Sequence, residues 1–437
     1  MRVLLINPPN CGKSIPEERY GIESIKMIFR GEPLSLETLA GNLDGHDVTI
    51  CDLKADPDAL AGDGIELQPD IVGITGVTCE ANTILAIAER LKERLNVPVV
   101  VGGHHASCDP NFFKHPFIDY IVVGLAAVSF RQLVDSLESG GKMAIDGVIC
   151  NASAQPSKFT PRRYTVEDLV DHRAPRYDLV ARHRDRYVMS GAGGKVGFVA
   201  TAFGCTHSCS FCSISHLTGA RYLARSNDAV LRDIEMLSDV PVIRLVDANT
   251  FGDTRRAEGL ARKIIDAGIH KRLVADVRAD TVVKHPDLMA DWRKAGLAIV
   301  VIGFEEISDA KLDFFKKRSS HQIHLEAIEI LKELGIGIVG DFIVSPDYEP
   351  CDFDKLTEFV VQSGIDLPIA AILTPIPGTV LYNKMKPRIN NHDLDYYTFT
   401  NAVMPTRMPE HDFYRTYAQM LKRFLAPLHS AQQKGTP

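Results

Sequence analysis

The 437-residue chain is 45% hydrophobic and 24% charged, with a formal net charge of −7 from 49 basic and 56 acidic side chains. That composition fits a globular chain too long for one ordinary core, and its mild acidity, which no Lys/Arg run contradicts, argues against a general nucleic-acid surface. No stretch is long and apolar enough to span a bilayer, and the apolar start "MRVLLINPPN" is too short for a secretory leader, so the cytoplasm is the expected compartment.

In chain order, residues 2–7 (RVLLIN), 47–53 (DVTICDL), 69–75 (PDIVGIT), 97–103 (VPVVVGG) and 118–124 (IDYIVVG) read as buried strands. Amphipathic helical patterns at 81–95 and 128–140 fall between and after them. Near-continuous Val/Ile runs alternating with helices predict an α/β fold, a Rossmann-like doubly wound parallel sheet over residues 1–140. Residues 141–192 are rich in Pro, Arg, Ser and Asp and read as a linker that ends near "SGAGGK". A second series of strands is expected at 196–204, 242–249, 272–280, 298–306, 336–344 and 368–375, with helices between them. This predicts a partial or full (β/α) barrel over 193–380. A helical C-terminal segment is expected over 381–437, built around "DFYRTYAQMLKRFLAPLH" and ending in the disordered tail "SAQQKGTP".

Six of the nine cysteines, Cys11, Cys51, Cys79, Cys108, Cys150 and Cys351, are scattered, as small buried residues are in a reducing compartment. Cys205, Cys209 and Cys212 differ, because they share one short loop at the carboxyl end of the first expected barrel strand, where barrels place their chemistry. Three thiolates so spaced suit one face of an iron–sulfur cluster. Zinc is the rival, with His207 or His216 as the fourth ligand that a structural site needs.

The Cys-x3-Cys-x2-Cys spacing, with Phe211 before the last cysteine, resembles the signature of the radical S-adenosylmethionine (SAM) superfamily. The resemblance implies a [4Fe–4S] cluster on Cys205, Cys209 and Cys212, with one iron left for SAM and reductive cleavage to a 5′-deoxyadenosyl radical. Further along, "LVDANTFGD" (245–253), "ADVRAD" (275–280), "IGFEEISD" (302–309) and "TPIPGTVLY" (374–382) resemble the family's later strand ends. Phe211, Asp247, Asn249, Arg278, Gly303, Glu305 and Pro375 are thereby implied as SAM-binding residues; read alone, the charged ones are equally barrel-rim ion pairs.

The front unit resembles the cobalamin-binding domain that precedes the barrel in class B radical SAM methyltransferases and in anaerobic Mg-protoporphyrin cyclases, through "EPLSLETLAGNL" (32–43), "PDIVGITGVTCEANTILAIAERLKE" (69–93) and "VPVVVGGHHAS" (97–107). Pro8, Pro9, Thr75, Gly76, Gly102, Gly103, His104 and Gly124 stand at carboxyl ends of its strands, where ligands of open parallel sheets bind. The Asp-x-His-x-x-Gly cobalt-ligating motif is absent from "CDLKADPD" (51–58), so no histidine below cobalt is implied, and "VGLAAVSF" (123–130) lacks the acids of relatives. The implied activity is C-methylation of an unactivated carbon in a small apolar substrate, tetrapyrrole- or isoprenoid-like, through the adenosyl radical and methylcobalamin. An external electron donor such as flavodoxin or ferredoxin is also implied. A radical SAM oxidative cyclase and a non-catalytic corrinoid- or metal-binding regulator are the alternatives. Tyr222, Tyr382 and Cys351 are hydrogen-donor candidates that read better as structural residues.

Overall fold

The computed structural model describes residues 1–23, 29–60, 67–141, 144–151, 159–170, 173–189, 191 and 193–434. The front sheet has six strands, β1 (Arg2–Asn7), β2 (Asp47–Asp52), β3 (Ile71–Ile74), β4 (Val99–Val101), β5 (Tyr120–Val122) and β6 (Val148–Cys150), in the order β2-β1-β3-β4-β5-β6. The first five are parallel, and β6 runs antiparallel to β5. Strand alternation sends Leu4, Ile6, Val72 and Ile74 to one face and Val3, Leu5 and Ile71 to the other. The helix Ala81–Leu95 covers the first face with Ile84, Ile87, Ala88 and Leu91. The helix Ala127–Glu138 covers the second with Phe130, Leu133 and Val134.

β6 arises inside the stretch read as linker. All three of its residues are only half-buried, so it lacks the continuous apolar signal of the central strands.

The second sheet has the six expected strands, β7 (Val196–Val199), β8 (Val242–Leu245), β9 (Arg272–Asp276), β10 (Leu297–Glu305), β11 (Gly337–Val344) and β12 (Leu367–Ile372). They pair in parallel and in sequence order, with β7 and β12 at the two edges, so the barrel is a partial one. The following helices start on local caps. The Ser226 hydroxyl accepts from the Ala229 N–H at 3.2 Å, the Asp253 carboxylate from Arg256 N–H at 3.0 Å, and the Ser320 hydroxyl from Ile323 N–H at 3.3 Å. Because all six strands are parallel, the strand-to-helix loops lie together at one end.

The C-terminal helix, Glu410–Lys434, packs on the barrel edge, where the Tyr417 hydroxyl donates to the Ala370 carbonyl at 2.8 Å. It runs through most of the tail expected to be disordered; residues 435–437 of that tail lie outside the described residues. Both faces of the front sheet continue into the barrel. Phe198, Val242 and Val274 join the core of Val3 and Leu5, and Phe315, Leu373 and Ile376 join that of Leu4 and Ile6.

Candidate active site

After β7 the chain makes an excursion closed at its base by a two-residue antiparallel pairing of Ala202–Phe203 with Leu223–Ala224. Gly204 starts the excursion at φ +81°, and a Cβ there would run into the Arg221 carbonyl, so only glycine lets the chain turn here. Cys205, Cys209 and Cys212 lie on this loop, all free and partly exposed. Ser210, between the last two cysteines, is held from two sides. Its N–H donates to the Phe315 carbonyl at 2.9 Å, and its carbonyl accepts from Leu381 N–H at 2.8 Å. The first brace comes from the segment after β10 and the second from the segment after β12, so the barrel itself positions the loop.

The cysteine loop forms one wall of a cavity of about 270 Å³. Arg278, Gly303, Glu305, Lys317, Asp276 and Asp341 line it too, as do Thr379 and Val380. The Lys317 ammonium donates to Glu305 at 2.8 Å, with both side chains 11% exposed. Glu305 itself has φ +66°, at a register shift between Gly303 and Glu305 where β10 leaves the sheet. A Cβ on Gly303 would collide with the Glu305 carboxylate and lie 3.0 Å from Lys317 Nζ. The absence of a side chain there gives the ion pair its place. Arg278 is buried and donates from Nε to Asp280 at 2.8 Å and from an η nitrogen to the Lys317 carbonyl at 2.8 Å.

Of the seven residues expected at SAM, Phe211, Arg278, Gly303 and Glu305 line the cavity with the three cysteines. Phe211 packs edge-on to Phe315 at 5.4 Å. Asp247, Asn249 and Pro375 are buried and are not among the residues that line it. Asp247 accepts from Thr201 N–H and hydroxyl, both at 2.7 Å, and from Ala202 N–H at 2.9 Å. It fixes the end of β7 from behind. Asn249 donates weakly to the Thr206 hydroxyl at 3.4 Å, and its side-chain amide oxygen is buried without a partner among the described residues. Lys317, Asp276 and Asp341 were not singled out from sequence. For Lys317 the available signal was "FFKKRSS" (314–320), a charged run a dozen residues beyond Glu305.

Among the described residues no three His, Cys, Asp or Glu side chains converge to hold a single metal ion. A cluster takes one thiolate per iron, so its cysteines need not meet at a point. Burial pushes the Cys212 thiol up to about 11, with Cys209 and Cys205 adding to it, and burial likewise raises Cys209 against the pull of Lys317 and Arg278. Thiols in such surroundings become thiolates only beside a strong cation, and the donor set fits a three-cysteine cluster.

The residues expected at cobalamin occupy the carboxyl edge of the front sheet, which faces the cysteine loop. His104 opens the helix His104–Cys108, and its Nε2 lies 3.2 Å from the hydroxyl of Ser213, next to Cys212. The Leu125 N–H donates to the Leu217 carbonyl at 3.1 Å beside Gly124. Burial lowers His104 below its ordinary value, with nearby His216 adding, so it is a neutral, hydrogen-bonded ring. Gly103 (φ +92°) lies against Thr75 and Gly76, whose own neighbours are Pro8 and Glu80. Gly102 has only ordinary contacts around it, and Pro9 and Val77 reach the surface of the same edge, Val77 at 43% exposure. These residues fit a corrinoid held by backbone and apolar contact without a histidine ligand.

Residues 26–134 match the B12 binding domain and residues 199–360 match the Radical SAM superfamily. The hopanoid C-3 methylase of Methylococcus capsulatus is 26% identical over 399 residues, covering 89% of this chain and 75% of that protein. The anaerobic magnesium-protoporphyrin IX monomethyl ester cyclase of Rubrivivax gelatinosus is 26% identical over 423 residues, covering 92% and 73%. The radical SAM methyltransferase TsrM from Kitasatospora setae, whose structure holds cobalamin and a [4Fe–4S] cluster, shares the fold with a TM-score of 0.74 at 17% identity, covering 97% of this chain and 90% of that one. A cysteine-lined barrel cavity facing the carboxyl edge of a B12-type sheet, and matches to both families in that order, make this chain a radical SAM enzyme of the kind that carries a cobalamin-binding domain ahead of its barrel.

Proposed function

We propose that the protein transfers a methyl group from SAM, by way of cobalamin, to an unactivated carbon of a small apolar substrate of tetrapyrrole or isoprenoid type. The observation that carries this reading is one cavity bounded by the three cysteines and by the Arg278–Lys317–Glu305 set, with the B12-type loops docked at the same loop through His104 and Leu125. Cluster and cobalamin, when bound, supply the radical-forming and methyl-carrying chemistry. The chain's own residues do the holding. Cys205, Cys209 and Cys212 present the thiolates. Arg278 and Lys317 offer positive charge, and Glu305 an acceptor, to the amino-acid end of SAM. Phe211, Val277 and Val301 give the cavity an apolar side that excludes water and stray hydrogen donors.

The substrate class rests on the polycyclic substrates in the names of the Methylococcus and Rubrivivax proteins. No helix among the described residues is long and apolar enough to cross a membrane. We place the enzyme in the cytoplasm and its reductant among flavodoxins and ferredoxins. Oxidative cyclisation is the second reading, because the Rubrivivax cyclase matches at the same 26% identity.

Anaerobic protein reconstituted with iron, sulfide and cobalamin, then given methyl-labelled SAM and a strong reductant, is expected to release 5′-deoxyadenosine and to label a product in extracts containing hopanoids or porphyrins. The Cys209→Ala variant is expected to lose both signals. Deoxyadenosine with an unlabelled, oxidised product selects cyclisation; no deoxyadenosine at all sinks both readings.

A further inference from the structure

The charges that line the cavity leave one acid unanswered. Glu305 is paired with Lys317 at 2.8 Å, Asp276 with Arg244 at 2.5 Å, and Arg278 with Asp280 at 2.8 Å. Asp341 has no hydrogen bond or ion pair among the described residues, yet it lines the same cavity. It stands within β11, in register with Gly303 of β10 on one side and Ile369 of β12 on the other. Gly303 has no side chain to lay over it. A strand paired on both sides therefore holds the Asp341 carboxyl toward the cavity with no side-chain partner among the described residues. Burial, then the Glu305 and Asp276 carboxylates, push it up to about 7. Asp341 is half-buried at the cavity wall, so water or a bound molecule must satisfy it there, a ligand that displaces that water has to replace its hydrogen bond, and strands hold a contact group more firmly than loops do. A purely structural acid would be expected to have a cap, an ion pair or a backbone donor, as Asp247 has.

We propose that Asp341 is a ligand-binding residue whose carboxylate accepts a hydrogen bond from a hydroxyl or N–H donor of the molecule that fills the cavity. The inference rests on the radical SAM reading for the identity of that molecule. Two sources share the chemistry, a ribose hydroxyl of SAM and a hydroxyl or amine of the organic substrate.

The test uses reconstituted full-length protein carrying Asp341→Leu, with Asp341→Asn as a near-isosteric partner that keeps one acceptor oxygen. Both are expected to retain the iron content and visible absorbance of the parent. Equilibrium dialysis against labelled SAM, and the ratio of deoxyadenosine to product in turnover, separate the two sources. A drop of about 10- to 100-fold in SAM affinity for the Leu variant, the worth of one hydrogen bond to a charged group, with a smaller drop for Asn, assigns Asp341 to the nucleotide. Unchanged SAM affinity with a ratio raised to the same degree assigns it to the substrate. If SAM affinity and ratio both stay at parental values in Asp341→Leu, the proposal is wrong while the site reading stands. It is also wrong if both variants lose their iron, since Asp341 is then a structural residue. Parent protein that holds no iron or binds no SAM overturns the site reading and takes this proposal with it.

Discussion

Glu37 has no solvent exposure, and neither carboxylate oxygen has a hydrogen-bond partner among the described residues. Beside it, buried Glu32 contacts Arg184 and accepts from Phe198 N–H at 2.6 Å. Burial raises both carboxyls, Glu32 to about 7 and Glu37 well above its usual value, with Glu32 adding to the burial effect on Glu37. Of the two, Glu37, without a donor, is the one that holds the proton. A carboxyl raised in the folded state binds protons that the unfolded chain releases, so its contribution is fullest below the ordinary carboxylate range and is lost as pH climbs toward the folded value. The parent is therefore expected to lose stability between about pH 5 and 8, by about 1.4 kcal/mol for each pH step over which the folded chain holds one proton more than the unfolded. Glu37→Gln should flatten that slope, matching the parent near pH 5 and exceeding it at pH 8. Melting temperatures across that range check the sign; a variant less stable than the parent at pH 8 contradicts it. At this scale the sequence was legible where spacing carries the chemistry. Cys205, Cys209 and Cys212 were evident because three soft ligands in eight positions have few other uses. Asp341 and Lys317 were not, because an acid within a strand or a lysine in a basic run looks like any surface charge until the fold shows what faces it.

The decisive element is the cysteine loop. Its ends are tied by the two-residue pairing at its base and its middle by Ser210, and Gly204 supplies the left-handed turn that starts it. Gly204→Ala is expected to displace the Arg221 carbonyl and splay the cysteines. Iron per chain after reconstitution should fall to less than about half of the parent's, while the far-ultraviolet spectrum stays native, because φ > 0 is costly to alanine only locally. Full iron loading in that variant would show that the loop tolerates another path. Strand positions were readable for a related reason. β1, β3 and β4 are buried on both faces and so appear as unbroken apolar runs. β6 escaped notice because an edge strand of three half-buried residues, antiparallel to its neighbour, needs no such run.

For the whole molecule, the two sheets share their cores. Phe315, Leu373 and Ile376 of the barrel segments pack with Leu4, Ile6 and Val72, and Phe198 and Val274 pack with Val3 and Leu5. Since each sheet is covered partly by the other, unfolding one exposes apolar surface of its neighbour. Calorimetry of the parent is expected to show a single cooperative transition; two peaks well separated in temperature would mean that the sheets are held apart more loosely than their packing implies. The amino-acid sequence by itself determined the order of the parallel strands and the helices between them, the two-part α/β plan and the three thiols of the cluster loop. These follow from local periodicity and from spacing within a few residues, which any reading of the chain preserves. Only the tertiary structure decided that the barrel stays open between β7 and β12, that Asp247 braces a strand end while Lys317 faces the cavity, and that His104 meets Ser213 across the two halves. Those outcomes depend on partners tens to hundreds of residues away, and a side chain's role as brace, ion pair or unsatisfied acceptor is set by what packing brings to it.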